Sequence, residues 1–229
     1  MTRKVFDAPA YRIAEAAALL RLPVATLRSW VAGRAYPVAN GMAHSLPVIE
    51  MSDQARGYLS FNNLVEAHVL SAIRRERVTL AGIRDAVQFL REGMNSQRPL
   101  LEQQFATDGV SLFIERLGQL VNVTRKGQLS MREVLGLYLR RIERNPKGIP
   151  VRLYPFTHSV PEDRPAGMIV IDPSISFGRP ALARLGVPTA VIADRYKAGE
   201  NIDDLASDYG AERNEIEEAI RCELPAVAA

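Results

Sequence analysis

Two short amphipathic segments separated by a three-residue break constrain this chain more than any other feature. Ile13, Ala16, Ala17 and Leu20 recur at the spacing of one buried helical face. Arg21-Leu22-Pro23 interrupts the pattern, and Pro23 is acceptable as the first residue of a new helix, where its missing N–H costs nothing. Val24, Leu27, Trp30 and Val31 then resume the periodicity as far as Gly33. Two helices joined so tightly predict a helix-turn-helix. The following stretch, Tyr36 to Tyr58, is rich in Pro, Gly, Asn and Ser. Within it Leu46–Met51 and Gly57–Leu59 are expected to pair as a small wing.

The rest of the chain reads as alternating helices and short extended pieces. Ser60 is placed to cap a helix running to about Arg75, and Thr79 opens another with Ile83, Val87 and Leu90 on one face and Gly93 past its end. Arg98-Pro99 reads as a connector. Val110–Arg116 and Gln119–Arg125 flank Leu117-Gly118 and predict a β-hairpin. Ser130 with Glu133 has the form of a capping box for a helix reaching about Asn145, after which Ile149–Phe156 is extended. Thr157–Gly167, with two prolines and mixed charge, reads as a linker. Beyond it come a strand, Met168–Ile171, and three short helices at Pro188–Ala198, Ile202–Tyr209 and Arg213–Glu223. Their core is expected from Ile202, Leu205, Ala206, Ile216, Ala219 and Ile220. The expected fold class is mainly α with small β elements (α+β). Its parts are residues 1–98 as a winged helix-turn-helix, 99–166 as a central hairpin-plus-helix segment with the linker, and 167–229 as a tri-helical unit.

Charge divides the chain along the same lines. Residues 1–150 carry 21 Lys and Arg against 13 Asp and Glu, a net of +8 (21 − 13), whereas 167–229 carry 6 against 11, a net of −5 (6 − 11). A basic front accumulates along a phosphate backbone by releasing condensed counterions. An acidic tail is repelled by that surface and suits a basic protein. The two ends are expected to bind different partners.

Burying Leu27, Trp30 and Val31 turns Thr26, Arg28, Ser29 and Arg34 outward, where hydroxyls and guanidinium groups reach base edges and phosphates in a major groove. Arg12, at the start of the first helix, is placed for a backbone phosphate, and the wing contributes His44 and Arg56. His68, between Leu64 and Val69, reads as a packed and hydrogen-bonded histidine, and His158 falls in the linker. Near the acidic end, Ile175-Ser176-Phe177-Gly178-Arg179-Pro180 combines a tight turn with an aromatic and a fork donor, residue types that dominate binding hot spots. Arg184 follows closely.

Catalysis is not expected. The chain lacks a P-loop, a dinucleotide-binding glycine turn and a nucleophile elbow. Three scattered histidines and the single Cys222 give no metal-ligand spacing, so neither metal nor cofactor is expected. Asp203-Asp204 behind Asn201 reads as acid at a helix N-terminus rather than a nuclease centre. No run of 18 apolar residues occurs, and Met1–Lys4 leads into Asp7 and Pro9 without an apolar core, so the expectation is a cytoplasmic chain with neither signal peptide nor membrane span.

Tyr11-Arg12-Ile13-Ala14-Glu15-Ala16-Ala17 and Thr26-Leu27-Arg28-Ser29-Trp30 resemble the start of MerR-type regulators. Leu59–Leu70, Phe105–Gly109 and Phe177-Gly178-Arg179-Pro180 extend this to a resemblance with the VapB-type antitoxin family over nearly the whole chain. The resemblance implies a MerR-like DNA-binding head and a small C-terminal helical domain of an antitoxin. It also implies a protein that neutralises a PIN-type ribonuclease toxin and represses its own operon, and because helix-turn-helix proteins read paired half-sites a homodimer on its operator is expected. Phe177, Arg179 and Arg184 would then face the toxin. Arg21 and Pro23 stand where MerR-type turns usually carry Gly and a Ser cap, and Ser29 stands where an aromatic is common. The competing readings are a stand-alone MerR-like regulator and a protein-interaction adapter without DNA binding.

Overall fold

The computed structural model describes residues 5–38, 41–73, 78–121, 125–156 and 167–223. The expected linker Thr157–Gly167 except its last residue, His158, the helix end near Arg75 and the Met1–Lys4 segment lie outside the described residues. The fold is mainly helical, with small antiparallel strand pairs. It divides into two compact units, residues 1–140 with 144–150 and residues 141–143 with 151–229.

The first unit begins with β1 (Tyr11–Arg12), α1 (Ile13–Leu19) and α2 (Val24–Ala32), then β2 (Arg34–Val38), β3 (Gly41–Ser45) and β4 (Tyr58–Leu59). Helices α3 (Phe61–Ser71), α4 (Leu80–Gly93), α5 (Val110–Val121) and α6 (Arg125–Leu139) follow. Helix α3 is the centre, because every residue from Phe61 to Ser71 is buried. A helix with no wet face can carry polar groups only if each finds a partner. The Ser60 hydroxyl accepts from the Asn63 N–H at 3.2 Å, and the Asn63 amide donates to Glu50 O at 2.7 Å. Glu66 accepts from Arg98 at 2.7 Å, and Arg98 reaches Asp7 as well. His68 Nε2 lies 3.0 Å from the Tyr138 carbonyl oxygen with its ring against Tyr138, the packed histidine expected from its position.

Three expected elements are corrected. Val110–Arg116 and Gln119–Arg125 do not form a hairpin: Val110, Phe113, Ile114 and Leu117 are buried at helical spacing, so α5 runs straight through Gly118. Gly118 is not a turn but a helical position against which the amide end of the Gln128 side chain of α6 packs. Ser130 is not a cap either, since α6 already starts at Arg125 and ends at Leu139, short of Asn145. The wing is built from different strands: β2 pairs with β3, and Tyr58–Leu59 pairs with Tyr11–Arg12 rather than with Leu46–Met51. The backbone N–H groups of Val48 and Ile49 instead reach Trp30 O, at 2.7 and 3.1 Å, where the last carbonyls of α2 need donors.

The division between the units falls within the two-stranded pair β5 (Ile142–Arg144) and β6 (Pro150–Leu153). The second unit continues with β7 (Ile169–Val170) paired to β8 (Ala181–Leu182), then α7 (Thr189–Lys197), α8 (Ile202–Tyr209) and α9 (Arg213–Glu223). Ile169, Leu182, Ile192, Leu205, Ile216, Ala219 and Ile220 form its core, with Ile202 and Ala206 packed against them. Each large aliphatic side chain buried there contributes about 1.5–3 kcal/mol. Asn201 caps α8 by accepting from the Asp204 N–H at 2.8 Å, and Asp203 and Asp204 occupy its first turn, where the helix dipole favours acid.

Candidate nucleic-acid interface

The turn between α1 and α2 is closed by the backbone N–H of Leu22 donating to Ala17 O at 2.8 Å. Arg21 sits in it at φ 53°, the left-handed region that favours glycine. Helix α2 buries Leu27, Trp30 and Val31 as the spacing predicted, and Arg28 is exposed on the opposite side. Thr26 and Ser29 are half-buried, and the Ser29 hydroxyl donates to Thr26 O at 2.7 Å, so its proton is engaged within the helix.

Gly33 fixes how the wing leaves α2. At φ 74° and ψ −169° it turns the chain into β2, and a Cβ there would overlap the Ser45 carbonyl across the ribbon. The ladder pairs Arg34 with Ser45, Ala35 with His44, Tyr36 with Ala43 and Pro37 with Met42. Because side chains alternate along a strand, Arg34 and Tyr36 share one face of the wing and His44 and Met42 the other. Arg34 and His44 are both exposed. Tyr36 and Met42 are exposed too, and sequence reasoning missed both by placing the wing further along the chain. The signal that could have found them is Asn40-Gly41, a favoured hairpin dipeptide flanked by strand-compatible residues.

Arg12 and Arg56 complete the basic set. Arg12 lies opposite Tyr58 in the β1–β4 ladder and donates from Nε to the Tyr58 hydroxyl at 3.2 Å. Arg56 is exposed in the turn before β4, 4.0 Å from Asp53, whose carboxylate also accepts the Arg56 backbone N–H at 3.0 Å. Thr26, Arg28 and Ser29 thus lie on α2, Arg34 and His44 on the β2–β3 ribbon that follows it, Arg12 on β1 and Arg56 in the turn before β4, the strand that pairs with β1. The segment after the wing is tied to α4, where Arg84 Nε donates to Leu46 O at 2.9 Å and Arg91 donates to Val48 O at 3.3 Å.

The other residues singled out in sequence lie in the second unit. Ser176 and Phe177 adopt left-handed backbone at φ 48° and φ 56°, which costs a non-glycine residue about 1–2 kcal/mol each. Phe177 and Arg179 are exposed. Arg184 is committed within the unit, donating to both carboxylate oxygens of Glu215 (2.8 and 3.3 Å) and to Gly210 O at 2.9 Å. The Arg184 hydrogen bonds, set against partial burial, hold the Glu215 carboxyl below its ordinary range.

Residues 9–87 match a family model described as "Putative DNA-binding HTH domain", and residues 169–221 match one described as "Protein of unknown function (DUF433)". Among curated relatives, the chain is 30% identical to "Putative antitoxin VapB45" of Mycobacterium tuberculosis (strain ATCC 25618 / H37Rv), over 94% of each. It is 29% identical to "Uncharacterized protein Rv2308" of the same organism, over 94% of this chain and 90% of that one. The crystal structure of Rv2018 from Mycobacterium tuberculosis superposes with a TM-score of 0.70 at 24% identity, covering 94% of this chain and 99% of that one, which shows a shared fold.

Proposed function

The chain belongs to the family of the "Putative antitoxin VapB45", and from that premise we propose that it is a DNA-binding antitoxin that neutralises a PIN-type ribonuclease toxin and represses its own operon. The observation that carries the DNA-binding half is Arg28, exposed on α2 on the side opposite its buried Leu27, Trp30 and Val31, in a unit that also exposes Arg12, Arg34, His44 and Arg56. Arg28 with Thr26 and Ser29 would read base edges, while Arg12, Arg34, His44 and Arg56 would hold phosphates and fix register. A homodimer would present two such heads to paired half-sites. The protein acts by binding rather than catalysis, in the cytoplasm.

The second unit, net acidic, would hold the toxin through the segment containing Phe177, Arg179 and Arg184. The toxin half is tested by assaying the product of the neighbouring gene for ribonuclease activity with and without the full chain. Stoichiometric loss of cleavage supports the antitoxin reading. Cleavage unaffected by an excess of the chain contradicts it.

A further inference from the structure

Phe177 is 93% exposed, the most exposed large apolar side chain among the described residues, ahead of Leu46 at 73% and Met42 at 68%. Its backbone is fixed. The buried Asp172 carboxylate accepts from Arg152 Nε and from the Ser174 N–H, both at 2.8 Å, and the Ile175 N–H donates to Asp172 O at 2.9 Å. On the far side the Gly178 N–H reaches Ile175 O at 2.9 Å and the Arg179 N–H reaches Ser176 O at 3.1 Å. The unit therefore holds a bulky residue in left-handed backbone while its ring covers almost nothing of the fold. A glycine would sit at that position without strain. Strained, over-determined backbone of this kind clusters at active sites, ligand clamps and switch regions.

An exposed aromatic ring can stack on a nucleobase, enter a lipid surface or fill a pocket in another protein. Base stacking goes with a positively charged groove along the strand, and anionic membranes attract basic segments. Residues 167–223 carry 6 Lys and Arg against 11 Asp and Glu, a net of −5 (6 − 11), which repels both. Resting on the toxin-neutralising reading, we propose that Phe177 is a pre-set anchor inserting into an aromatic-sized apolar pocket on the toxin, within a surface that is net basic. Because the turn is already ordered, binding does not carry the cost of fixing it. The charge of the unit speeds encounter, and the ring slows departure.

The test measures association and dissociation of the full chain with the neighbouring gene product for the wild type, Phe177→Ala and Phe177→Gly. Both variants are expected to bind at least about thirtyfold more weakly, mainly through faster dissociation. Phe177→Gly is expected to melt above Phe177→Ala, because glycine relieves the backbone, so weak binding cannot be attributed to misfolding. Wild-type affinity that both variants keep within about threefold overturns the anchor alone. A wild-type chain that does not bind the neighbouring product overturns the toxin reading and the anchor with it. If Phe177→Ala instead dissociates a wild-type oligomer in the absence of that product, the pocket belongs to a second copy of this chain and the proposal fails.

Discussion

Arg12 and Tyr58 face each other across the β1–β4 ladder, and the Arg12 guanidinium donates to the Tyr58 hydroxyl at 3.2 Å. The phenol limits the orientations of a fully exposed arginine while leaving its other donors for a phosphate. Arg12→Ala is expected to weaken duplex binding about tenfold and to lower the salt slope by about one, uniformly across sequences. Tyr58→Phe should keep that slope and lose only part of the affinity. Titrations of binding against salt for the three proteins check this.

Gly33 lies at φ 74° with the Ser45 carbonyl where a Cβ would stand. Gly33→Ala is expected to destabilise the first unit by more than about 1 kcal/mol, because alanine is incompatible with this backbone. Duplex binding should fall even at temperatures where the variant remains folded, since the wing must leave α2 at another angle. Thermal melts paired with binding at low temperature separate the two effects.

Arg98 joins Glu66 at 2.7 Å and Asp7 at 2.6 Å, and the Glu66 side chain is only 8% exposed. Arg98→Met would leave a buried carboxylate without its counter-charge, an expected loss of about 3 kcal/mol. Adding Glu66→Gln should recover part of that loss, because the pair is coupled. Denaturant unfolding of the two variants measures it.

Asp172 titrates below its ordinary range: burial works against its ionisation, but hydrogen bonds from Arg152 and Ser174 outweigh burial. A depressed folded value means that the group adds stability above the ordinary carboxylate range, a contribution lost as pH falls through the folded value. Asp172→Asn is therefore expected to lower the melting temperature of the second unit at pH 7, by an amount equivalent to about 1–3 kcal/mol. The gap should narrow once the pH falls below the ordinary carboxylate value of about 4, and close only as it passes through the lower folded value, where the native carboxyl takes up its proton. Melts between pH 7 and pH 3 provide the comparison.

Where local signals agree, the sequence is a sufficient guide to this fold. Leu27, Trp30 and Val31 set the buried side of α2, and Asn201 with Gly210 brackets α8, so both helical units could be read from spacing and caps. The misreadings arise where the deciding contact is distant. Gly118 resembles a turn residue until the burial of Phe113, Ile114 and Leu117 along one helical face is known, and Ser130 with Glu133 imitates a cap inside a longer helix. Tyr58 has strand character, but its partner is Arg12, 46 residues away, rather than the nearer Leu46–Met51 segment. The exposure of Arg28 was legible because burying Leu27, Trp30 and Val31 leaves α2 one exposed side. Tyr36 and Met42 were not, because their exposure depends on which strands form the wing. The left-handed backbone at Phe177 has no sequence signature apart from its neighbour Gly178.

Recognition of DNA by the first unit is proposed to run through α2. The most direct measurement compares binding of the wild type and Arg28→Ala to the duplex upstream of the gene and to random duplex, in physiological salt. The wild type is expected to prefer the upstream duplex by about a thousandfold or more, and Arg28→Ala to lose about tenfold or more of that preference while still binding random duplex. Equal wild-type affinity for the two duplexes, or a preference untouched by Arg28→Ala, would contradict it.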